Sequence, residues 1–386
     1  MSGARATGPL VVIACGGTGG HLYPGLAVAA ELEKAGARTV CVVSDKPVDQ
    51  EAVKRLPKER VMTLPSAGWR LRRAHRFALG LARSWRRLGA RFAFDPPAAV
   101  LGMGGFTSVA PVLWARWRRV PVFLHEANAV PGRAVRRLGR WAREVFVHFP
   151  PCVEALSGRR VRVTGMPVRE GFRGRDPSAC RRALGLDPER PVLAVMGGSQ
   201  GARALNQAMV SAVSLWRLLA PGLQVVHLTG PADADEVRRR YAAAGVPGWV
   251  AGRTDRMPEV LGAATAALSR AGASSIAELA AARVPALLVP YPYAVDDHQT
   301  ANARCLAEAG GARWIPQNVL ERPEKWVEVL RPLLVDARVR SRMQEALARW
   351  DRPEAARRVA ERIRQSVDPA WTPAAGIQPA VVSPLS

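Results

Sequence analysis

The chain has 386 residues, of which 48% are hydrophobic, and a formal net charge of +24. This length allows two domains with full cores, and the composition fits a soluble globular protein. The five cysteines are odd in number, scattered and without a C-x-x-C pair, which argues against a disulfide framework or a zinc site and indicates a reducing compartment.

The positive charge is concentrated in the first half of the chain. Residues 1–165 contain 27 of the 56 Lys and Arg residues but only 10 of the 32 Asp and Glu residues. Such a surface favours an anionic partner, either nucleic acid, an acidic membrane or a phosphorylated substrate, although genome bias or thermal adaptation is an alternative origin. No signal peptide precedes the first strand and no apolar run reaches the ~18 to 20 residues that span a bilayer, so we expect any membrane contact to be peripheral.

In chain order, short apolar strands alternate with helical runs. A linker at about 165–175 divides this alternation into two sets. The predicted strands are 9–14, 38–44, 61–64, 98–101, 120–125, 144–147 and 159–164, then 191–196, 224–228, 248–250, 263–268 and 286–290. Helices are predicted at about 24–35 and at 273–282. The pattern indicates an α/β protein with two Rossmann-like doubly wound domains facing across a cleft.

The domain bounds follow from the same pattern. We expect a first domain at 1–167 and a second at 168–340. Helical sequence at 341–366 closes the fold, back toward the first domain. Residues 367–386, rich in Pro and Ala, are expected to form a disordered tail.

Three glycine-rich turns, 16–20, 102–105 and 197–202, each follow a predicted strand. Glycines allow close backbone approach, and helix starts expose N–H groups to anions. Because the carboxyl ends of parallel strands share one edge of a sheet, the turns predict phosphate sites at an interdomain cleft. The first turn lacks the G-x-G-x-x-G and G-K-[ST] spacings, which disfavours dinucleotide and ATP binding. A purely structural turn is the alternative for any one of the three turns.

His21 follows the first of these turns, at the expected start of a helix. The helix dipole there lowers the pKa of an imidazole and keeps it neutral. A neutral imidazole beside a sugar hydroxyl can act as a base. The alternative is that His21 only bonds to nearby backbone.

The stretch from Leu268 to Asn302 combines a helix start with acidic residues. Ser274 and Ser275 occupy the first helical turn, which favours a diphosphate, and Glu278 lies one turn later on the same face. Its carboxylate suits a vicinal diol such as ribose, whereas a solvated helix glutamate is the alternative.

A basic amphipathic helix is predicted around residues 77–92. Its apolar residues at helical spacing are Phe77, Leu81, Trp85, Leu88 and Phe92, and the flanking arginines are Arg72, Arg73, Arg76, Arg83, Arg86, Arg87 and Arg91. This pattern predicts docking on an anionic membrane, with an ordinary core helix as the alternative.

Six motifs in one order resemble the MurG family of bacterial glycosyltransferases. They are GGTGGH at 16–21, GMGG at 102–105, HEAN at 125–128, PVR at 167–169, GGSQGA at 197–202 and DDHQTANA at 296–303. That family moves N-acetylglucosamine from its UDP donor to undecaprenyl-pyrophosphoryl-N-acetylmuramyl-pentapeptide, converting lipid I to lipid II in peptidoglycan synthesis. The resemblance implies a GT-B architecture and an inverting, single displacement by the muramyl C4 hydroxyl, with no covalent intermediate, cofactor or dedicated metal.

The resemblance also assigns residues to each substrate. UDP-N-acetylglucosamine would be bound by Thr18, Gly19, Gly20, Asn128, Arg169, Ser199, Gln200, Thr254, Ala273, Ser274, Ser275, Glu278 and Gln299. The acceptor diphosphate would lie at Gly16, Gly17, Gly104 and Gly105, with His21 as the catalytic residue. Two positions depart from the family pattern: Met166 stands where the family usually has Asn, and Ala127 stands where it usually has Gln.

The expected partners are therefore UDP-N-acetylglucosamine, lipid I and the anionic inner leaflet, which would place the protein peripherally on the cytoplasmic face of the cell membrane. A UDP-N-acetylglucosamine epimerase or another GT-B UDP-sugar transferase shares the donor-site logic and is the alternative. A nucleic-acid-binding protein would explain the charge, but no recognised nucleic-acid motif is present, so we expect no nucleic acid.

Overall fold

The computed structural model describes residues 8–65, 74–198, 201–216, 220–367 and Trp371, with side chains described from Leu79 onward in the helix that begins at Ala74. None of the helices in these ranges has the length and apolar content needed to cross a bilayer. The described strands form two separate parallel sheets, one of seven strands and one of six.

The first sheet is built from short apolar segments. Most are buried along nearly their whole length, because helices cover both faces of a parallel sheet. Its strands are β1 (Leu10–Ala14), β2 (Arg38–Ser44), β3 (Val61–Leu64), β4 (Ala99–Gly102), β5 (Val122–Glu126), β6 (Glu144–Val147) and β7 (Val161–Val163). They lie in the order β3-β2-β1-β4-β5-β6-β7.

Helices on both faces connect these strands. They are α1 (Gly19–Lys34), α2 (Pro47–Val53), α3 (Ala74–Arg91), α4 (Val109–Trp117), α5 (Arg133–Leu138) and α6 (Cys152–Ala155). The predicted start of the first helix near Pro24 is wrong, because α1 begins at Gly19 and Pro24 lies inside it. Proline has a backbone φ that suits a helix and removes only one N–H donor.

The second sheet repeats the arrangement in the order β10-β9-β8-β11-β12-β13. Its strands are β8 (Val192–Met196), β9 (Gln224–Leu228), β10 (Gly248–Ala251), β11 (Ala266–Ser269), β12 (Ala286–Leu288) and β13 (Ala312–Trp314). Its helices are α7 (Pro177–Ala183), α8 (Arg203–Ser211), α9 (Ala234–Ala243), α10 (Met257–Ala263), α11 (Ala273–Ala282), α12 (His298–Glu308) and α13 (Pro323–Val335).

The two last helices divide between the domains. The helical run predicted at 341–366 is two helices, α14 (Ala337–Trp350) and α15 (Ala355–Val367), with Pro353 between them. Whereas α14 packs on α11, α15 packs on α1 and buries Val359 and Ile363 in the core of the first domain. Trp371, within the segment for which the sequence predicts disorder, is buried, and its indole N–H donates to the Ala35 carbonyl at 2.9 Å.

The strand order of each sheet reverses at one point, between β1 and β4 in the first and between β8 and β11 in the second. Ligands of doubly wound sheets bind beyond the carboxyl ends of the strands at such a point. The two points meet, because Ser274 at the start of α11 contacts Gly20 at the start of α1. The predicted fold class of two doubly wound domains across a cleft is confirmed, and the geometry places the cleft at both helix starts.

Candidate active site

Gly16 and Gly17 form a tight turn directly after β1. A Cβ on Gly16 would lie 2.4 Å from the backbone N of Ser44, and Gly17 has a φ of 109°, so both positions require glycine. The Gly17 N–H donates to Asp49 Oδ2 at 2.6 Å, and the Gly16 N–H donates to the Val42 carbonyl at 3.3 Å. In this structure both N–H groups bond inside the domain, and that of Gly17 meets the Asp49 carboxylate, so the assignment of this turn to an acceptor diphosphate stays a prediction.

The start of α1 is better suited to an anion than that turn. The first N–H groups of a helix have no partner within the helix, and the side chain of Thr18, the N-cap residue, makes no capping hydrogen bond. Gly19 and Gly20 therefore present the positive end of the helix dipole with no side chain in the way. This helix start thus leaves backbone N–H donors exposed at the edge of the first sheet.

His21 lies in the first turn of α1, half-buried over the second glycine turn. Its Nδ1 is 3.2 Å from Thr18 Oγ1. A Cβ on Gly104 would lie 3.2 Å from its Nε2, and one on Gly105 would lie 3.1 Å from its Cε1. The Gly104 N–H donates to Ser108 Oγ at 3.1 Å and is thus also bonded inside the domain. The glycines of this turn therefore serve to make room for the imidazole.

The environment of His21 keeps its imidazole neutral at pH 7. Burial lowers the pKa of His21 to about 4; the Asp49 carboxylate opposes this shift, and His298 and Lys46 add to it. The expected neutral state agrees with this direction. Burial, rather than the helix dipole, is its main cause.

Pro24 leaves a carbonyl of α1 free to reach the other domain. In a regular helix the Gly20 carbonyl would accept from the N–H of residue 24, but proline has none. The Ser274 hydroxyl of α11 donates to this carbonyl instead, at 3.2 Å. A missing donor in one domain thus creates a hydrogen bond between the two helix starts.

Glu278 lies in the second turn of α11, and its side chain is 15% exposed. Burial raises the pKa of this carboxyl to about 7, and the positive charge of Arg169 opposes the shift. The two side chains are 3.9 Å apart, measured from Nη2 to Oε1. Ser274, Ser275 and Glu278 therefore lie as predicted relative to the helix start, with a carboxyl that titrates near neutrality.

Arg169 projects from the interdomain linker into the same region. Its guanidinium carbon lies 4.0 Å from the centroid of the Tyr23 ring and 5.8 Å from that of Phe172. Its buried Nε has no hydrogen-bond partner among the described residues. The aromatic contacts hold the guanidinium in place and leave donors for an anion.

Asn128 connects the two domains. Its backbone N–H and its side-chain nitrogen donate to Glu126 Oε1 at 2.9 and 3.2 Å, and its Oδ1 accepts from Asn302 of α12 at 3.1 Å. Asn302 Oδ1 in turn accepts from the Ala129 N–H at 2.8 Å. In this structure the amide of Asn128 is engaged in an interdomain network.

The other predicted donor residues lie at the same edge of the second sheet. Gln299 is at the start of α12, and its Oε1 accepts from the Tyr291 N–H at 3.0 Å. Thr254 follows β10, and its hydroxyl accepts from the Arg256 N–H at 2.9 Å. Ser199 and Gln200 lie outside the described residues.

The two departures from the family pattern have apolar surroundings. Ala127 and Met166 are 5% and 3% exposed and belong to one core cluster, which also contains Phe149, Phe172 and Ala273. Both residues thus pack where the first domain, the linker and α11 meet. In the ranges that the structure covers, no three His, Cys, Asp or Glu side chains come together as metal ligands.

The described part of the apolar stripe of α3 packs in the core of the first domain, which agrees with the alternative prediction of an ordinary core helix. Leu88 and Phe92 are buried, and Trp85 packs on Trp117 with ring centroids 5.7 Å apart. Outward-facing arginines and large apolar side chains surround this stripe. The exposed residues are Leu79, Arg83, Arg86, Arg87, Arg91, Phe94 and Trp117. Arg72 and Arg73 lie outside the described residues, as do the side chains of Arg76 and Phe77.

Sequence reasoning missed several residues that shape the site. Glu126 and Asn302 lie within the HEAN and DDHQTANA motifs. Those motifs therefore point to the two residues but do not reveal the hydrogen bonds that they make. Asp49 is buried and holds the first glycine turn from 32 residues away, and no local pattern marks it. The role of Pro24 depends on a donor in the other domain.

Two family domains match the chain. Residues 11–147 match the glycosyltransferase family 28 N-terminal domain, and residues 192–362 match the glycosyltransferase family 28 C-terminal domain. These ranges include both sheets except β7, and both helix starts at the cleft.

Sequence relatives and solved structures agree with this match. A Synechococcus elongatus protein named UDP-N-acetylglucosamine--N-acetylmuramyl-(pentapeptide) pyrophosphoryl-undecaprenol N-acetylglucosamine transferase is 39% identical over 344 residues, which are 88% of this chain and 90% of that protein. The crystal structure of Acinetobacter baumannii MurG matches with a TM-score of 0.70 and 26% identity, covering 92% of this chain and 99% of that one. A UDP-N-acetylglucosamine 2-epimerase structure has a TM-score of 0.65 at 17% identity, covering 93% and 97%, which shows a shared fold alone.

Proposed function

The chain belongs to the MurG family within glycosyltransferase family 28, and we propose that it transfers N-acetylglucosamine from UDP-N-acetylglucosamine to N-acetylmuramyl-(pentapeptide) pyrophosphoryl-undecaprenol. The observation that carries this proposal is the meeting of the α1 and α11 starts, with His21 on one side and Glu278 on the other. In such a GT-B cleft, one helix start can bind the diphosphate of a sugar nucleotide, and the other can bind an anionic acceptor.

On the donor side, α11 would hold the diphosphate and the nucleoside. Its first N–H groups, including that of Ser274, and the Ser275 hydroxyl suit phosphate oxygens, while the Ser274 hydroxyl keeps its bond to the Gly20 carbonyl. Glu278 suits the ribose diol. Arg169, with its free donors, would stabilise the leaving diphosphate. We assign further donor contacts from the motifs to Asn128, Ser199, Gln200, Thr254, Ala273 and Gln299. Thr18, Gly19 and Gly20, at the start of α1, would lie between the two substrates and contact both the donor sugar and the acceptor diphosphate.

On the acceptor side, the start of α1 would hold the acceptor diphosphate, and Gly104 and Gly105 would leave room beside His21. The C4 hydroxyl oxygen of the muramyl sugar attacks the anomeric carbon and forms the new glycosidic bond. The bond from that carbon to the UDP oxygen breaks, and its electron pair leaves with UDP. The hydroxyl proton passes to the neutral imidazole of His21, and the anomeric configuration inverts.

We infer that the first domain works at the cytoplasmic face of the cell membrane, as a peripheral protein. The acceptor is lipid-linked, and the exposed arginines of α3 lie beside exposed Leu79, Phe94 and Trp117. Cationic side chains around a few apolar ones match the chemistry of an anionic lipid surface.

Incubation of the purified chain with labelled UDP-N-acetylglucosamine, with and without a short-chain acceptor analogue, tests the proposed reaction. We expect labelled disaccharide product and UDP only when the acceptor is present. Conversion of the sugar nucleotide to its 2-epimer without acceptor would instead identify an epimerase.

A further inference from the structure

Two arginines of the first domain converge on one carboxylate of the second. Arg133 and Arg136 lie on α5, which follows the HEAN turn. Asp296, in the loop between β12 and α12, places its Oδ2 2.6 Å from Arg136 Nη2 and its Oδ1 3.5 Å from Arg133 Nη2. The contact joins the two domains and leaves one guanidinium charge unbalanced by this carboxylate.

The loop reaches the arginines in an unfavourable backbone conformation. Asp296 and Asp297 have φ values of 53° and 48°, in the left-handed region that residues other than glycine rarely adopt. Strain of this kind is typical of ligand clamps and switch regions. The same loop leads directly to Gln299, a proposed donor contact.

The position of α5 suits a group some distance from the acceptor diphosphate. The strand order β1-β4-β5 places the end of β5 two strands, ~10 Å, from the turn after β1. A peptide of a few residues, at ~3.3 Å per residue, spans that distance. The acceptor class of our proposed function carries a pentapeptide, and peptide carboxylates are the natural partners of paired guanidinium groups.

We propose, on the basis of that function, that Arg133 and Arg136 bind a carboxylate of the acceptor's peptide and that Asp296 occupies this place until the acceptor arrives. The exchange replaces one carboxylate by another. It costs little desolvation, because the arginine side chains are 68% and 45% exposed. The peptide would thereby also release the strained loop beside the donor site.

Steady-state kinetics of the full chain with two short-chain acceptors test this assignment. Both acceptors carry the diphosphate and the pentapeptide, but the peptide carboxylates are free in one and converted to carboxamides in the other. Arg136→Gln is expected to raise KM for the free-carboxylate acceptor by ~3- to 10-fold and to leave KM for the carboxamide acceptor nearly unchanged. Asp296→Asn is expected to lower KM for the free-carboxylate acceptor, since the competing carboxylate is gone.

Arg137→Gln is the matched control, because Arg137 is an exposed arginine of the same helix. It should leave both KM values unchanged. An equal rise for both acceptors in Arg136→Gln would assign the arginines to the diphosphate and overturn the proposal. A higher acceptor KM in Asp296→Asn would overturn it too, because the ion pair would then be a structural clasp. The absence of any transfer by the unaltered chain would refute the proposed function and this inference with it.

Discussion

Glu278 is the residue whose ionisation and proposed contact can be tested together. Its carboxyl has a pKa of about 7, and only the ionised form offers both oxygens as acceptors to a ribose diol. We therefore expect UDP-N-acetylglucosamine to bind more tightly at pH 8 than at pH 6. Glu278→Ala should weaken binding by ~1.5 to 3 kcal/mol, the range for hydrogen bonds to charged groups. Isothermal calorimetry measures both effects.

Two further variants test whether the ionisable carboxyl of Glu278 causes these changes in donor affinity. Glu278→Gln cannot ionise and should lose the rise in affinity between pH 6 and pH 8. Glu308→Ala removes an exposed glutamate of α12 and should leave the affinity unchanged. An affinity that is the same in the Glu278 variants and the unaltered chain would remove this residue from the donor site.

His21 should affect the chemical step more than donor binding. Loss of a general base lowers the rate by ~10²- to 10⁴-fold, so His21→Ala is expected to reduce kcat in that range. UDP-N-acetylglucosamine should still bind, since the proposed nucleoside contacts lie on α11. A collapse of donor affinity with kcat preserved at saturation would assign His21 to donor binding instead.

Most strands of the two sheets could be predicted from the sequence, because parallel strands that are covered on both faces are apolar runs. The start of α1 could not, since Gly19, Gly20 and Pro24 are all poor helix formers and their conformation depends on packing around the cleft. Pro353 is a local signal for the break between α14 and α15 within the single helical run predicted at 341–366. Strand β13, only Ala312–Trp314 with an arginine at its centre, has too little pattern to detect.

Some residues of the candidate site could likewise be predicted from local sequence, and others could not. Ser274, Ser275 and Glu278 follow from a helix start that is local in sequence, and His21 follows from the glycine-rich motif directly before it. The bonds of Asn302 to Asn128 and Ala129 join residues more than 170 positions apart and could not be read from local pattern. The occupied N–H groups of Gly16 and Gly17 likewise depend on neighbouring strands and on Asp49.

The arginine face of α3 predicts binding that depends on lipid charge. Each basic side chain near an anionic surface contributes ~1 kcal/mol, so Arg83, Arg86 and Arg87 together should dominate the attraction. Sedimentation should show retention on phosphatidylglycerol-rich vesicles that falls as salt rises, and little retention on neutral ones. Replacing the three arginines by Glu should abolish retention and leave turnover of a short-chain acceptor nearly intact.

A matched control for α3 changes the same charge on the second domain. Arg338, Arg342 and Arg349 are exposed on α14, and their replacement by Glu should leave vesicle retention largely unchanged. Retention that survives both the α3 changes and high salt would place the docking surface elsewhere on the molecule.

Pro24 controls one contact between the two domains, the hydrogen bond from Ser274 to the Gly20 carbonyl. Pro24→Ala supplies an N–H that can bond to the Gly20 carbonyl and compete with Ser274. Loss of one neutral hydrogen bond, ~0.5 to 1.5 kcal/mol, should weaken UDP-N-acetylglucosamine binding by ~2- to 12-fold, because α1 and α11 are then less firmly held together. Calorimetry measures the change.

A double variant isolates the cause of that change. In a Ser274→Ala background the hydroxyl is already absent, so adding Pro24→Ala should have almost no further effect on affinity. Additive losses from the two substitutions would show that Pro24 acts through the shape of α1 and not through the freed carbonyl.

The placement of α15 has a consequence for biosynthesis. Val359 and Ile363 complete the core that contains Leu22 and Val28, but the ribosome makes them after the strands of both sheets. The strands of the first sheet end at Val163, and at ~5 to 20 residues per second the wait for α15 is on the order of ten seconds or more. During that interval the apolar side of α1 that α15 covers has no partner. The core of the first domain is therefore completed only after every strand of the second sheet has been synthesised.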